Sequence, residues 1–145
     1  MADAERILIV APAWVGDMVM AHCLVQVLAR TRPHAELHVL APPATAPLAT
    51  RMPEIRCVRT FDVAHGELGL GKREREGRAL RAMGYDQAII LPNSFKSAWV
   101  PFRARIRRRT GWHGEARYGV LNDRRRLDPT RLPLMIEQFM ALGLP

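Results

Sequence analysis

Lysine is scarce in this chain of 145 residues: of its 22 basic side chains, only Lys72 and Lys96 are not arginine. Arginine offers a planar fork of donors that binds carboxylate and phosphate in a bidentate way. The formal net charge of +8 favours anionic partners such as nucleic acid, phosphates or an anionic membrane surface. Two runs, at residues 103–109 and 124–126, concentrate this charge, although a solvated basic surface explains any single arginine equally well.

Cysteine pairs and metal-ligand patterns are also missing. Cys23 and Cys57 fall in a predicted helix and a predicted strand, and their spacing fits neither a zinc knuckle nor a redox CxxC. We therefore expect two buried free thiols. No HExxH or DxD occurs, and the strand that follows His34 would point it and His38 poorly toward a shared ion. The sequence predicts no metal site and no resident cofactor.

Long apolar runs are absent. No run approaches the roughly 20 residues that a membrane-spanning helix requires. The first ten residues lack the basic and apolar regions of a signal peptide. The length suits one domain with a core of its own. We therefore expect a cytoplasmic protein.

Glycine-rich nucleotide loops are missing as well. No GxxxxGK[ST] occurs, which counts against a P-loop ATPase. The loop after the first predicted strand holds a single glycine, Gly16, so the dinucleotide fingerprint fails too. Gly69 and Gly71 form a GxG, but Glu74 stands where the third glycine would be. We assign that pattern no function.

Short apolar runs and helical periodicities alternate along the chain, which is typical of an α/β fold with a parallel sheet covered by helices on both faces. A glycine-rich mobile loop is expected over residues 62–71, and an irregular polar stretch over residues 118–127. The pattern predicts strands at 7–10, 36–41, 57–61, 87–91 and 108–112, a loop or short helix ending near 52, and helices at 18–31, 72–83, 97–104 and 133–142.

The stretch ILIVAPAWVGDMVM, residues 7–20, is the most informative one. A strand breaks at Pro12, and a loop with Gly16 and Asp17 then opens a helix. Open α/β sheets bind ligands at the carboxyl ends of their strands. Asp17 could cap a helix that begins at Met18, or it could act as a general base toward a hydroxyl. Gly16 would allow close approach of a substrate.

A second polar loop follows the fourth predicted strand in LPNSFKSAWVP, residues 91–101. Because parallel strands end at the same edge, we expect Asn93, Ser94 and Lys96 to share one crevice with Asp17. Alternatively, Ser94 is a helix cap and Lys96 a solvated charge. In TGWHGEARYG, residues 110–119, the two aromatics could be mere anchors, while Arg117 could clamp an anion.

Three stretches in this order, APAWVGDMVM, LPNSFKSAWVPF and RTGWHGEARYGVLND, closely resemble the ADP-heptose:lipopolysaccharide heptosyltransferases. The resemblance extends over essentially all of the chain. It implies that residues 1–145 form a Rossmann-like domain, the N-terminal and acceptor-binding half of a two-domain GT-B glycosyltransferase. It also implies that the C-terminal half, which binds most of the nucleotide-sugar donor, lies outside this chain.

The resemblance further implies inverting transfer of heptose from ADP-L-glycero-D-manno-heptose to the first heptose of the lipopolysaccharide inner core. The acceptor, lipid A–Kdo–heptose, would be met at the inner face of the inner membrane, and ADP-heptose would be a substrate rather than a cofactor. In this family a loop aspartate is the base, and Asp17 occupies the matching place. The implied substrate-binding residues are Trp14 and Gly16 at the pocket floor, Lys72, Arg73 and Arg117 on anionic groups, and Asn93, Ser94 and Lys96 at the crevice.

Two alternatives remain open. The arginine runs could form a nucleic-acid-binding module, but the aromatic residues are few and are not interleaved with those runs, so we expect no nucleic acid partner. The chain could also be a folded domain without activity of its own, because glycosyl transfer requires donor and acceptor to be held in line.

Overall fold

The structure is a computed structural model that describes residues 4–62, 69–113 and 119–145. Within these ranges, six strands form one sheet in which every neighbouring pair is parallel. The strands are β1 (Arg6–Val10), β2 (Glu36–Ala41), β3 (Ile55–Thr60), β4 (Gln87–Ile90), β5 (Arg108–Trp112) and β6 (Asp123–Arg125).

Helices connect the strands and cover both faces of the sheet. The described α-helices are α1 (Val15–Thr31), α2 (Ala46–Thr50), α3 (Leu70–Leu80), α4 (Phe95–Arg103) and α5 (Met135–Leu142). A 3₁₀ segment, Arg81–Met83, extends α3. It ends at Gly84, whose φ of 66° is the left-handed conformation that glycine adopts without strain.

The strand order is β3-β2-β1-β4-β5-β6. The first three strands therefore lie side by side in chain order, and β4 pairs with the other side of β1. In the register, Ile9 of β1 lies beside Val39 of β2 on one side and Ile89 of β4 on the other. This reversal between β1 and β4 is the topological switch point of a Rossmann-like sheet.

Successive residues of β1 point into two different cores. Ile7 and Ile9 belong to a cluster with buried side chains of α1, α2 and α5, whereas Leu8 and Val10 pack with residues of α3 and α4. The alternation follows from the two-residue period of a strand, and burial on both faces explains why β1 is a continuous apolar run. The predicted α/β, Rossmann-like fold with helices on both faces is confirmed.

The polar stretch at residues 118–127 was the main error in the predicted elements, because it contributes β6. The carboxylate of Asp123 accepts hydrogen bonds from Thr110 Oγ1 at 2.7 Å and from Arg108 Nε at 3.0 Å, both on β5. Arg125 Nη2 donates to the same carboxylate at 3.1 Å. These polar contacts, rather than an apolar face, hold the edge strand, so hydrophobic periodicity gives no signal for it.

The expectation of two buried thiols is wrong. Cys57 is exposed and Cys23 is half-buried, and both are free. Cys57 lies on β3, which is an edge strand with several exposed residues, so its side chain is not enclosed as it would be in a central strand.

Most of the predicted loop at 62–71 lies outside the described residues, but its last two residues already belong to α3. None of the described helices combines the length and apolar content that crossing a bilayer requires.

Candidate functional site

A cavity of about 400 Å³ opens at the carboxyl ends of β1 and β4, at the switch point of the sheet. Residues from the segments after these two strands line it, and side chains from α3, α5 and the end of β5 complete the wall. The polar and aromatic side chains in the wall are Trp14, Asp17, Phe61, Arg73, Asn93, Ser94, Lys96, Ser97, Trp112, Gln138 and Phe139.

Asp17, Asn93, Ser94 and Lys96 line this one cavity. The structure thus places the two strand-end segments together, as their positions in the sequence predict. A carboxylate, a carboxamide, a hydroxyl and an ammonium group share a concave site with apolar walls, which is the usual make-up of a small-molecule pocket.

Asp17 does not cap a helix that begins at Met18, because α1 begins three residues earlier. Its N-cap is Trp14, which makes no side-chain cap hydrogen bond, and Asp17 lies in the first helical turn. There the partial positive charge of the helix N-terminus favours a carboxylate. Asp17 is half-buried, and within the described part of the chain no hydrogen bond or ion pair engages its carboxylate.

Ser94 does cap a helix. It is the N-cap of α4, and its Oγ accepts a hydrogen bond from the backbone N–H of Ser97 at 3.3 Å. The helix begins earlier than predicted, so Lys96 lies in its first turn rather than in a loop. No described residue pairs with the Lys96 ammonium group. Both α1 and α4 therefore begin at the cavity.

Arg73 brings a buried guanidinium into the wall from α3. The residue is only 9% exposed, and its Nη1 donates to the carbonyl of Lys96 at 3.1 Å. Its Cζ lies 5.6 Å from the ring centroid of Phe61, a distance typical of a cation–π contact. These contacts fix the position of a positive charge beside the first turn of α4.

Two predicted site residues do not reach the cavity. Gly16 is exposed and outside the wall, and a Cβ built on it would meet no atom within 4 Å in the described structure. Its predicted place at the pocket floor is therefore wrong. Lys72 is exposed on α3, where the helix turns it away from the wall that Arg73 joins. Trp14 does line the cavity, but it is 64% exposed and forms the rim instead of the floor. Arg117 lies outside the described residues.

The part of the cavity wall that Trp112, Gln138 and Phe139 form was not predicted from the sequence. Trp112 is the last residue of β5, so the same strand-end argument that singled out Asp17 could have placed it there. Gln138 and Phe139 come from α5, which packs along α1. Their pattern in the sequence predicts a helix. It does not show against which strands the helix packs. In the described residues no group of three or more His, Cys, Asp or Glu is placed to hold a metal ion.

Comparison with known proteins agrees with this architecture. Residues 73–144 match the model of glycosyltransferase family 9 (heptosyltransferase). Lipopolysaccharide heptosyltransferase 2 of Salmonella typhimurium is 49% identical over 95% of this chain and 40% of its own length. The Escherichia coli K12 protein of the same name has the same identity and coverage. The solved structure of E. coli ADP-heptose lps heptosyltransferase II aligns with a TM-score of 0.87 and 46% identity, over 95% of this chain and 40% of that one.

The parallel sheet and the cavity at its switch point define a Rossmann-like domain, and the family match makes it similar to glycosyltransferase family 9. Within that class the chain is a homologue of the lipopolysaccharide heptosyltransferases 2, which confirms the resemblance seen in its sequence motifs. The chain spans about 40% of the length of the curated relatives it matches.

Proposed function

We propose that this chain is the acceptor-binding half of an inverting heptosyltransferase. The enzyme would transfer heptose from ADP-L-glycero-D-manno-heptose to the first heptose of the lipopolysaccharide inner core. The observation that carries the proposal is the shared cavity, in which Asp17 and the cluster Asn93, Ser94 and Lys96 line the same switch-point site. The 49% identity with proteins named lipopolysaccharide heptosyltransferase 2 supports the choice of sugar and acceptor.

Asp17 is proposed as the general base. Its carboxylate would take the proton from an acceptor hydroxyl while that oxygen attacks the anomeric carbon of the donor. The bond between that carbon and the diphosphate oxygen breaks in the same step, and ADP leaves with the electron pair, so the configuration inverts. The absence of a described partner for Asp17 supports this role, because its oxygens are available to a substrate. ADP-heptose is a substrate here, and no resident cofactor is proposed.

The positive groups at the cavity are proposed to recognise the anionic acceptor, lipid A–Kdo–heptose. Lys96 and Arg73 would attract Kdo carboxylates or lipid A phosphates, while Asn93 and Ser94 would hydrogen-bond to sugar hydroxyls. Lys72 and Arg117 are proposed to contact the acceptor beyond the cavity. The donor would be held mainly by a C-terminal half of the protein.

Exposed apolar side chains that are close in sequence to the cavity residues Trp14 and Met135 support a further part of the proposal, peripheral contact with the inner face of the inner membrane. Trp14, Val15 and Val19 of the α1 region are 64%, 54% and 58% exposed, and Leu134 before α5 is 61% exposed. Val15 and Val19 are four residues apart and thus share a helix face. Exposed apolar and aromatic side chains beside a basic cavity suit a surface that meets anionic glycolipid.

The first prediction tests the base. In the protein that includes the donor-binding half, Asp17→Asn keeps the size of the side chain but cannot accept the proton. We expect kcat to fall by about 10²- to 10⁴-fold, with the melting temperature within about 2 °C of wild type. Initial rates of heptose transfer and thermal unfolding measure the two effects.

Asp62→Asn is the matched control for this test. Asp62 follows β3 and is exposed, outside the cavity wall. It should leave both the rate and the stability unchanged. Near-normal turnover of Asp17→Asn would remove the base assignment, and loss of stability with transfer intact would make Asp17 a structural residue of α1.

A further inference from the structure

Trp112 is a part of the cavity wall to which the proposed reaction assigns no role. The residue closes β5 and is only 6% exposed. Its indole Nε1 is buried, and among the described residues it is the one buried side-chain nitrogen or oxygen without a hydrogen-bond partner. Such a group loses its hydrogen bond to water on folding and gains no hydrogen bond within the protein, which costs free energy.

Other buried polar side chains of the described structure are paired. Thr45 donates its hydroxyl to the carbonyl of Pro12 at 3.0 Å. Gln87 donates to the hydroxyl of Thr110 at 2.8 Å. Because the fold satisfies these groups, the unpaired Trp112 N–H is not a general feature of its packing. A phenylalanine would fill an apolar wall without burying an unpaired donor.

The chemistry of the indole limits what can satisfy it. Its N–H is a donor and never an acceptor, so the partner must supply an oxygen or another acceptor atom. The cavity that Trp112 lines also presents Lys96 and Arg73, which are donors as well. A ligand rich in hydroxyl, ring or carboxylate oxygens would supply acceptors for all three groups.

We propose that Trp112 donates its indole N–H to an oxygen of the acceptor saccharide and thereby strengthens acceptor binding. This inference rests on the proposed function, since it assumes that the acceptor occupies this cavity. Trp112 takes no part in bond making or breaking. Because Nε1 is buried, this bond requires a local shift of the indole that brings its N–H to the cavity surface.

The second prediction follows from this role. In the protein with its donor-binding half, Trp112→Phe should raise KM for the acceptor by about 3- to 10-fold, as expected for one lost hydrogen bond. The kcat should stay within about two-fold, and the melting temperature should be unchanged or higher because a buried unpaired donor is removed. Trp112→3-benzothienylalanine, which keeps the ring shape and lacks the N–H, should give the same KM and covers the case in which phenylalanine packs poorly.

Trp99→Phe is the matched control. Trp99 is half-buried on α4, outside the cavity wall, so its replacement should leave KM for the acceptor unchanged. Values of KM for both Trp112 variants equal to wild type would overturn the inference, while transfer by the wild-type protein would keep the proposed function intact.

A titration without donor separates the two proposals further. Protein labelled with ¹⁵N at the tryptophan indoles is mixed with the deacylated heptosyl-Kdo-lipid A saccharide. The indole resonance that is absent from the Trp112 variants should move downfield, and that of Trp99 should not. An unmoved Trp112 resonance at saturating saccharide would overturn the inference. If wild-type protein transfers no heptose, the proposed function fails and this titration alone decides the role of Trp112.

Discussion

At the scale of single residues, His38 shows how a titratable group can be built into the sheet away from the cavity. It lies on β2 and is 4% exposed, and its Nδ1 is 2.9 Å from the hydroxyl of Tyr85. Burial lowers the pKa of His38 below its ordinary value, although the hydrogen bond to Glu36 acts in the opposite direction. Burial also raises the pKa of Tyr85 to about 12, so the phenol stays protonated.

The third prediction is a pH dependence of stability from His38. The unfolded chain takes up a proton near pH 6.5, whereas the folded imidazole takes it up only at lower pH. Between the two pKa values the unfolded state binds more protons, so the free energy of unfolding falls as the pH drops below about 6.5 and levels off below the folded pKa. Urea unfolding at pH 7.5 and pH 5.5 measures the loss, and His38→Gln should reduce it.

His34→Gln serves as the control, because His34 is exposed and precedes β2. It should leave the difference between the two pH values as in wild type. The same difference in His38→Gln and in wild type would mean that other groups carry the pH dependence.

Individual site residues differ in how far the sequence could place them. Asp17 and Asn93 each lie in the segment that follows an apolar strand, and parallel strands end at one edge, so their meeting in a cavity was predictable. Arg73 was named from the resemblance, but its burial against Phe61 depends on the packing of α3, which no local pattern encodes. Gly16 was misplaced because α1 begins at Val15, so the glycine faces outward from a helical turn.

At the scale of elements, the contact between α3 and α4 holds one side of the cavity. Arg103 of α4 forms a bidentate ion pair with Glu74 of α3, through Nε at 2.5 Å and Nη2 at 2.6 Å. Gly77 allows the two helices to approach closely: a Cβ there would lie 2.7 Å from the Cβ of Arg103 and 3.0 Å from the carbonyl oxygen of Val100. Neither the Cβ of Arg103 nor the carbonyl oxygen of Val100 can move aside without shifting α4.

The fourth prediction is that Gly77→Ala destabilises the protein by about 1–3 kcal/mol, the usual cost of overpacking. The higher helix propensity of alanine offsets less than about 1 kcal/mol of this. Urea unfolding gives the change. Because α4 carries Lys96 and the wall contact of Arg73, the variant should also raise KM for the acceptor.

Gly71→Ala on the same helix is the control. The nearest atom to its added Cβ is the flexible Nη1 of Arg75, at 3.9 Å. It should be neutral or stabilise the protein by up to about 1 kcal/mol. Equal stability of the two alanine variants would contradict the close helix contact.

The elements themselves were predictable where apolar periodicity is strong. The buried face of α1, formed by Met18, Leu24, Leu28 and their neighbours, matches the spacing read from the sequence. By contrast, β6 is held by Asp123 and its arginine and threonine partners, and such side-chain pairing leaves no period in the sequence.

At the scale of the whole molecule, several arginines of the described residues serve internal bonding. Arg103 is paired with Glu74, and Arg109 donates to the backbone carbonyls of Ile106 and Val120, both at 2.7 Å. Arg125 donates to the carbonyl of Leu144 at 2.6 Å. Guanidinium groups that are already bonded within the protein are less available to phosphates. This weakens the alternative in which the +8 charge marks a nucleic-acid-binding module.

The 103–109 run also lies at the wrong end of the sheet to bind a ligand in the cavity. It joins the end of α4 to the beginning of β5. Because β5 is parallel to β4, its beginning lies at the amino edge, whereas the cavity opens at the carboxyl edge. Arg105 and Arg107 are exposed there, and so contribute net charge without contact to the site.

The fifth prediction separates local from global electrostatics, using the protein with its donor-binding half. The double variant Arg105→Gln, Arg107→Gln should change KM for the acceptor by less than about two-fold, because charges farther away than a Debye length are screened at physiological salt. Lys96→Gln should raise the same KM by about 10- to 100-fold, the usual effect of losing a hydrogen bond to a charged group. Steady-state kinetics at 0.15 M salt compare them. A large effect of the double variant with a small one for Lys96→Gln would mean that the field of the whole protein, and not the cavity, selects the acceptor.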